Sequence, residues 1–93
     1  MIDKNLTYAV VGASNDENKY GHKVFDDLLE NGYHVIPINP NEEEDILDQE
    51  VFPTLSSVPE KIDVVIFVVP PTVTEKVLEE VKSLGIKNVW MQP

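Results

Sequence analysis

The chain has 93 residues, no cysteine, 42% hydrophobic residues and a formal charge of −10, from 17 acidic residues set against seven lysines and no arginine. That length gives one domain, residues 1–93, with a modest core, and the apolar fraction argues against disorder. The composition excludes disulfides and thiolate metal sites, the charge is wrong for nucleic acid or anionic lipid, and no run is apolar enough to span a bilayer.

The opening MIDKNLTY does not read as a signal peptide, so a cytoplasmic protein is expected. Thr7 to Val11 (TYAVV) then reads as a short apolar strand. Gly21 to Asn31 reads as a helix, because Val24, Phe25, Leu28 and Leu29 fall on one stripe of a 3.6-residue period. Asn31-Gly32 is its stop signal. Tyr33 to Ile38 (YHVIPI) is a second strand, in which Pro37 lacks a donor and so marks an irregularity or an edge.

The texture then changes. Six acids fall within positions 42 to 50, and Glu42 to Leu47 is expected to form a short helical turn capped by Asn41. A solvated surface connection explains this run better than a metal site, since clustered acids repel one another and no neutral ligand accompanies them. Val51-Phe52 reads as a very short third strand, and Leu55 to Val58 as a turn of helix. Ile62 to Val69 (IDVVIFVV) is the strongest strand signal, apolar on both faces as in a covered parallel sheet. Thr72 to Leu84 reads as a helix that buries Val73, Val77, Leu78, Val81 and Leu84, with Thr72 as its cap and Gly85 as its end. Lys87 to Met91 is a fifth strand.

This alternation implies an α/β, Rossmann-like, doubly wound parallel sheet of three αβα layers, with strand order 3-2-1-4-5. Domains of this kind place a further helix after the fifth strand. The end at Pro93 therefore reads either as a C-terminal truncation of the pattern or as a naturally minimal fold.

In such sheets a ligand binds beyond the strand C-termini, where the order reverses. That point would bring Gly12-Ala13-Ser14-Asn15 beside Val69-Pro70-Pro71-Thr72. Gly12 lets the chain turn directly off the strand, and Ser14 has a hydroxyl to offer. Gly21 starts the helix without a side chain, so its free N–H groups suit a diphosphate. Lys19 and Lys23 are the local cations against a net acidic surface. Each residue also has a purely structural reading: the glycines as turn residues, Ser14 as a turn cap, Lys23 as a solvated lysine. His22 and His34 lack metal-ligand spacing. The dinucleotide fingerprint is not met, because no glycine follows Gly12 until Gly21. The second strand also ends in Ile38-Asn39-Pro40 rather than in the acid that an NAD ribose requires.

Val11-Gly12-Ala13-Ser14, Lys19-Tyr20-Gly21, Gly32 to Pro40 (GYHVIPINP), Ile62-Asp63-Val64-Val65, Val69-Pro70-Pro71 and Val89-Trp90-Met91-Gln92-Pro93 together resemble the small stand-alone CoA-binding domain family. That family is similar to the N-terminal CoA-binding domain of the succinyl-CoA synthetase alpha subunit. The resemblance implies non-covalent binding of coenzyme A or an acyl-CoA. Gly12, Ala13 and Ser14 would line the crevice, Lys19 would meet a phosphate, and Asn39 and Pro40 would border the adenosine. Val69, Pro70 and Pro71 would face the first loop, and Asn15, Tyr20 and Gly21 complete the cofactor-binding set. The chain departs from the family at Asp48, where glycine is common, and in lacking the segment that usually follows Gln92-Pro93.

No catalytic residue and no metal ligand is assigned. Asp63 lies at the wrong end of its strand, and no nucleophile elbow is present. The partner expected is small-molecule CoA or acyl-CoA, without nucleic acid or membrane, while a homo-oligomer or protein partner stays open. Two alternatives remain: a fragment of an NAD(P)-binding oxidoreductase, and a non-enzymatic interaction or regulatory module.

Overall fold

The structure is a computed structural model that describes residues 4–69 and 71–91, with the side chains of residues 71–73 outside the description. Its elements are β1 (Thr7–Val11), α1 (Tyr20–Glu30), β2 (His34–Ile38), a 3₁₀ turn (Leu55–Ser57), β3 (Val64–Phe67), α2 (Pro71–Leu84) and β4 (Asn88–Met91). All strand pairs are parallel, in the order β2-β1-β3-β4. The α/β doubly wound class is therefore as expected, but the described residues form four strands rather than five.

The missing strand is the predicted third one. Phe52 makes a single parallel bridge to Ile38 on the outer edge of β2, and Pro53 follows it immediately, removing the next ladder donor. The order 3-2-1-4-5 is thus corrected to four strands with a lone bridge where strand 3 was expected. Pro37 is placed as its chemistry requires. Its carbonyl accepts the Phe52 N–H at 3.0 Å on the outer edge. A residue's N–H and C=O point to the same side of a strand, so the donor that Pro37 lacks falls on that edge and not on the β1 ladder.

Alternating side chains divide the core between the two faces. Tyr8, Val10, Val35, Val64 and Ile66 pack with Phe25 of α1 and with the partly buried Val24, Leu28 and Leu29. Ala9, Val11, Ile36, Ile38, Val65 and Phe67 pack with Leu55 of the 3₁₀ turn and with Val77, Leu78 and Val81 of α2. Helices on opposite faces follow from right-handed crossovers on either side of β1. Trp90 lies half-buried near Tyr8, ring centroids 6.3 Å apart. Leu84, expected in the buried stripe of α2, is 46% exposed at the helix end, while Val81 one turn earlier is buried. Val73 and the Thr72 cap lie outside the described side chains.

The end of α1 is built as its sequence indicates. Asn31 donates its backbone N–H to Asp27 O at 3.1 Å and its side-chain amide to the same oxygen at 2.6 Å. Gly32 takes the left-handed conformation, φ +83°, and donates to Leu29 O at 3.1 Å.

The acidic connection does not form the helical turn predicted over Glu42 to Leu47. Ile46 and Gln49 exchange backbone hydrogen bonds of 3.0 and 2.9 Å across a two-residue turn. Leu47 (φ +49°) and Asp48 (φ +65°) are both left-handed, the geometry of a type I′ turn. Burial of Ile46, which is 0% exposed, outweighs the helical preference of the acids. Asn-Gly is the favoured pair for this turn. Replacing Leu47-Asp48 by Asn-Gly is therefore expected to stabilise the protein by about 1 kcal/mol, read as a raised urea midpoint at unchanged slope.

Candidate functional site

The turn leaving β1 and the start of α1 touch backbone to backbone. Gly12 has φ +100°, and a Cβ there would lie 2.5 Å from Val69 Cγ1. A Cβ on Gly21 would lie 2.0 Å from the Gly12 carbonyl oxygen. Both glycines are therefore required by space, and Gly12 by its left-handed turn geometry as well.

Between them the loop is held by its own polar groups. Asp16 N–H donates to Ser14 Oγ at 3.0 Å, Asn18 N–H to Asp16 Oδ1 at 3.0 Å, and Lys19 N–H to Asp16 O at 3.0 Å. His22 lies 2.8 Å through Nδ1 from the Ser14 carbonyl, so that nitrogen carries the proton. Ser14 thus takes the turn-capping role, and its hydroxyl proton remains available as a donor.

Helix α1 starts unusually. Its cap residue is Lys19, in extended conformation, which makes no side-chain cap bond, and no acid lies in the first turn. The first N–H groups of a helix have no partner within it, and their partial positive charge favours an anion. Most helices meet this need with Ser, Thr, Asp or Asn.

These elements open on a crevice of about 800 Å³ at the C-terminal ends of the central strands. One wall holds Gly12, Ser14 and Lys19, and the floor holds Val11, Ile38 and Val68. The second wall comes from the end of β2, with Asn39, Pro40, Asn41 and Glu42. The third is formed by Val69, by Pro53 and Thr54 before the 3₁₀ turn, and by Lys76, Val77 and Glu80 of α2. The position is the switch point: β1 lies between β2 and β3, and the chain leaves for opposite faces.

Of the residues singled out in the sequence, Gly12, Ser14, Lys19, Asn39, Pro40 and Val69 line this crevice. Ala13 is 0% exposed within the α1-side core, and Tyr20 is 53% exposed. Gly21 supports Gly12 from behind. Asn15 turns across to Glu42, its N–H and its side-chain amide both 3.0 Å from Glu42 Oε2. Pro70 and the Pro71 side chain lie outside the described residues. Asn39 is committed to the protein itself: Nδ2 donates to Ala13 O at 2.9 Å, and Oδ1 accepts the Asn41 N–H at 2.9 Å. It ties the loop after β1 to the loop after β2.

The α2 wall was not visible in the sequence. Glu80 accepts the N–H groups of Leu55 and Ser56 at 3.0 and 3.2 Å and also the Ser56 hydroxyl, so it clamps the 3₁₀ turn to α2. Thr54 and Ser57 add a reciprocal capping box. Glu80→Ala is expected to lower stability by about 1 kcal/mol in a thermal melt, since most of these donors regain water.

Asp63 is far from this chemistry. Its Oδ2 accepts the Thr7 N–H at 2.9 Å, at the opposite end of the sheet. His34 is exposed and paired with Glu60. Among the described residues no group of three or more His, Cys, Asp or Glu side chains is placed to hold a metal ion, and no helix is long and apolar enough to cross a membrane.

A family model described as a CoA binding domain matches residues 6–93. The chain is 38% identical over 82 residues to the alpha subunit of acetate–CoA ligase (ADP-forming) II from Pyrococcus furiosus, covering 87% of this chain and 18% of that one. It is 35% identical over 80 residues to acetate–CoA ligase (ADP-forming) from Methanocaldococcus jannaschii, covering 86% and 11%. It spans less than a fifth of either ligase. Among solved structures, a conserved hypothetical protein from Pyrococcus furiosus superposes with a TM-score of 0.87 at 40% identity, covering 95% of this chain and 75% of that one. Another is the dinucleotide-forming acetyl-coenzyme A synthetase 1 of Ca. Korarchaeum cryptofilum in complex with phosphate and ADP, with a TM-score of 0.81 and 35% identity over 89% of this chain and 18% of that one. With the family match running almost from end to end over a sheet that carries its crevice at the switch point, the chain belongs to the CoA-binding domain family.

Proposed function

We propose that this chain binds coenzyme A, free or acylated, non-covalently in the crevice, without catalysing a reaction on its own. The observation that carries the reading is the start of α1, which has a lysine in the cap position, no side-chain cap and no acid in its first turn. Such an end attracts a diphosphate, and Lys19 at the crevice wall supplies positive charge that the chain as a whole lacks. Pro53, Val69 and Val77 offer apolar surface to a long thin arm.

Dinucleotide binding is supported less well. The residue that would meet the adenosine ribose is Asn39, whose amide is engaged by Ala13 and Asn41. The names of the relatives agree with the cofactor, while ligase chemistry belongs to proteins of which this chain spans only a small part.

Isothermal titration with CoA, dephospho-CoA and NAD tests the proposal. One-site, saturable heat with CoA, at higher affinity than NAD, is the expected result. NAD binding as tight as CoA would move the assignment to a dinucleotide, and no heat with CoA would refute it.

A further inference from the structure

We propose that the Glu42 carboxylate is an internal substitute for the ligand's anion, and that Glu42 thereby sets how strongly charged a ligand the crevice admits. The inference rests on the reading of this crevice as the ligand site.

Glu42 reaches the loop after β1 from the connection after β2, 27 residues away, and its Oε2 takes two donors from Asn15, the backbone N–H and Nδ2, both at 3.0 Å. Asp16 N–H is met locally by Ser14, Asn18 N–H by Asp16, and Lys19 N–H by Asp16, while Asn39 Nδ2 reaches Ala13 O at 2.9 Å and the Asn15 side-chain amide also reaches Glu44 O at 3.4 Å. The Asn15 N–H instead crosses to the opposite wall and meets a negative charge. Glu42 is half-buried, whereas its neighbours Glu43 and Glu44 are exposed. It also lines the same crevice as Gly12, Ser14 and Lys19. Two N–H donors converging on one carboxylate oxygen form the kind of charge-assisted grip that a phosphate oxygen can also accept.

The contact lies in solvent-exposed surroundings, where such pairs are weak and screened. It is therefore displaceable. A doubly charged phosphate group competes for Asn15 with advantage, while a singly charged carboxylate competes on equal terms. After displacement, the Glu42 charge stays close to the incoming anion and repels it, so wild-type affinity carries a penalty that Glu42→Gln removes.

The test follows the Asn15 amide by ¹⁵N NMR during titration with inorganic pyrophosphate, in wild type, Glu42→Gln and Glu43→Gln. Glu43→Gln changes the net charge by the same amount without touching the contact. The expected result is a midpoint about fivefold lower in Glu42→Gln, with Glu43→Gln close to wild type. An unchanged or higher midpoint in Glu42→Gln overturns the inference. So do equal gains in the two variants, which would mean general electrostatics, and so does an Asn15 amide that responds to pyrophosphate in none of them. CoA titrated into the same samples scores the cofactor reading separately. A pyrophosphate gain in Glu42→Gln without CoA binding removes CoA and keeps Glu42 in its role. CoA binding of equal strength in all three proteins keeps CoA and removes Glu42.

Discussion

Gly21→Ala is expected to destabilise the protein by about 3 kcal/mol or more, because one methyl group meets backbone that has nowhere to go. The Cβ would lie 2.0 Å from the Gly12 carbonyl oxygen. That oxygen cannot retreat freely. The Gly12 N–H is bonded to Ile38 O at 2.9 Å, Val68 N–H is bonded to Val11 O at 3.0 Å, and the far side of Gly12 is packed on Val68 and Val69. Relief requires α1 to move away from the sheet and draw Phe25, which is 0% exposed, out of its seat. For a domain of this size such a loss is a large share of a total stability of about 5–15 kcal/mol. Urea denaturation measures it directly. A change below about 1 kcal/mol would mean that α1 is free to shift and that the contact is not rigid.

The second large effect concerns the ligand. Lys19→Ala is expected to weaken CoA by roughly thirtyfold, about 2 kcal/mol, the scale of a hydrogen bond to a charged group. The fold should not notice, since Lys19 is exposed and makes no capping bond with its side chain. Lys19 occupies the cap position of α1, beside the N–H groups suited to a diphosphate, so equal losses on CoA and dephospho-CoA are expected. A greater loss on CoA would place Lys19 at the extra phosphate that dephospho-CoA lacks. No loss on either ligand would remove Lys19 from the site. Calorimetry on the two ligands, with a melt to verify the fold, separates these outcomes.

The parts of the molecule that could be read from sequence are those with local causes. Strand β1 appears with the predicted bounds because TYAVV is an isolated apolar run between polar segments, and α1 lies within one residue of its expected start and end. The run IDVVIFVV extends beyond the strand it forms. Its strand is only Val64–Phe67, because Asp63 turns its carboxylate to Thr7 and Val68-Val69 bend into the crevice wall. The acidic connection departs from the expected helical turn for a different reason. Acids after an asparagine look like a capped helix, and only the burial of Ile46, a tertiary fact, forces the turn at Leu47-Asp48. Neither residue is the glycine that would have announced that turn. At the site, the half that holds Gly12, Ser14, Lys19, Asn39, Pro40 and Val69 is legible, because these residues sit at strand ends and at the start of α1. The half built by Pro53, Thr54, Lys76 and Glu80 is not, since in sequence these are surface residues whose meeting depends on how the 3₁₀ turn docks on α2.

The hydrogen bonds at the end of α1 also govern the chemical ageing of the chain. Asparagine followed by glycine is the dipeptide most prone to deamidation, which begins when the glycine nitrogen attacks the asparagine side-chain carbonyl. Here that nitrogen is held by Leu29 O at 3.1 Å, and the Asn31 amide is held by Asp27 O at 2.6 Å. Attack must wait until the last turn of the helix opens, so the rate at which the protein acquires one further negative charge is a clock for the fraying of α1.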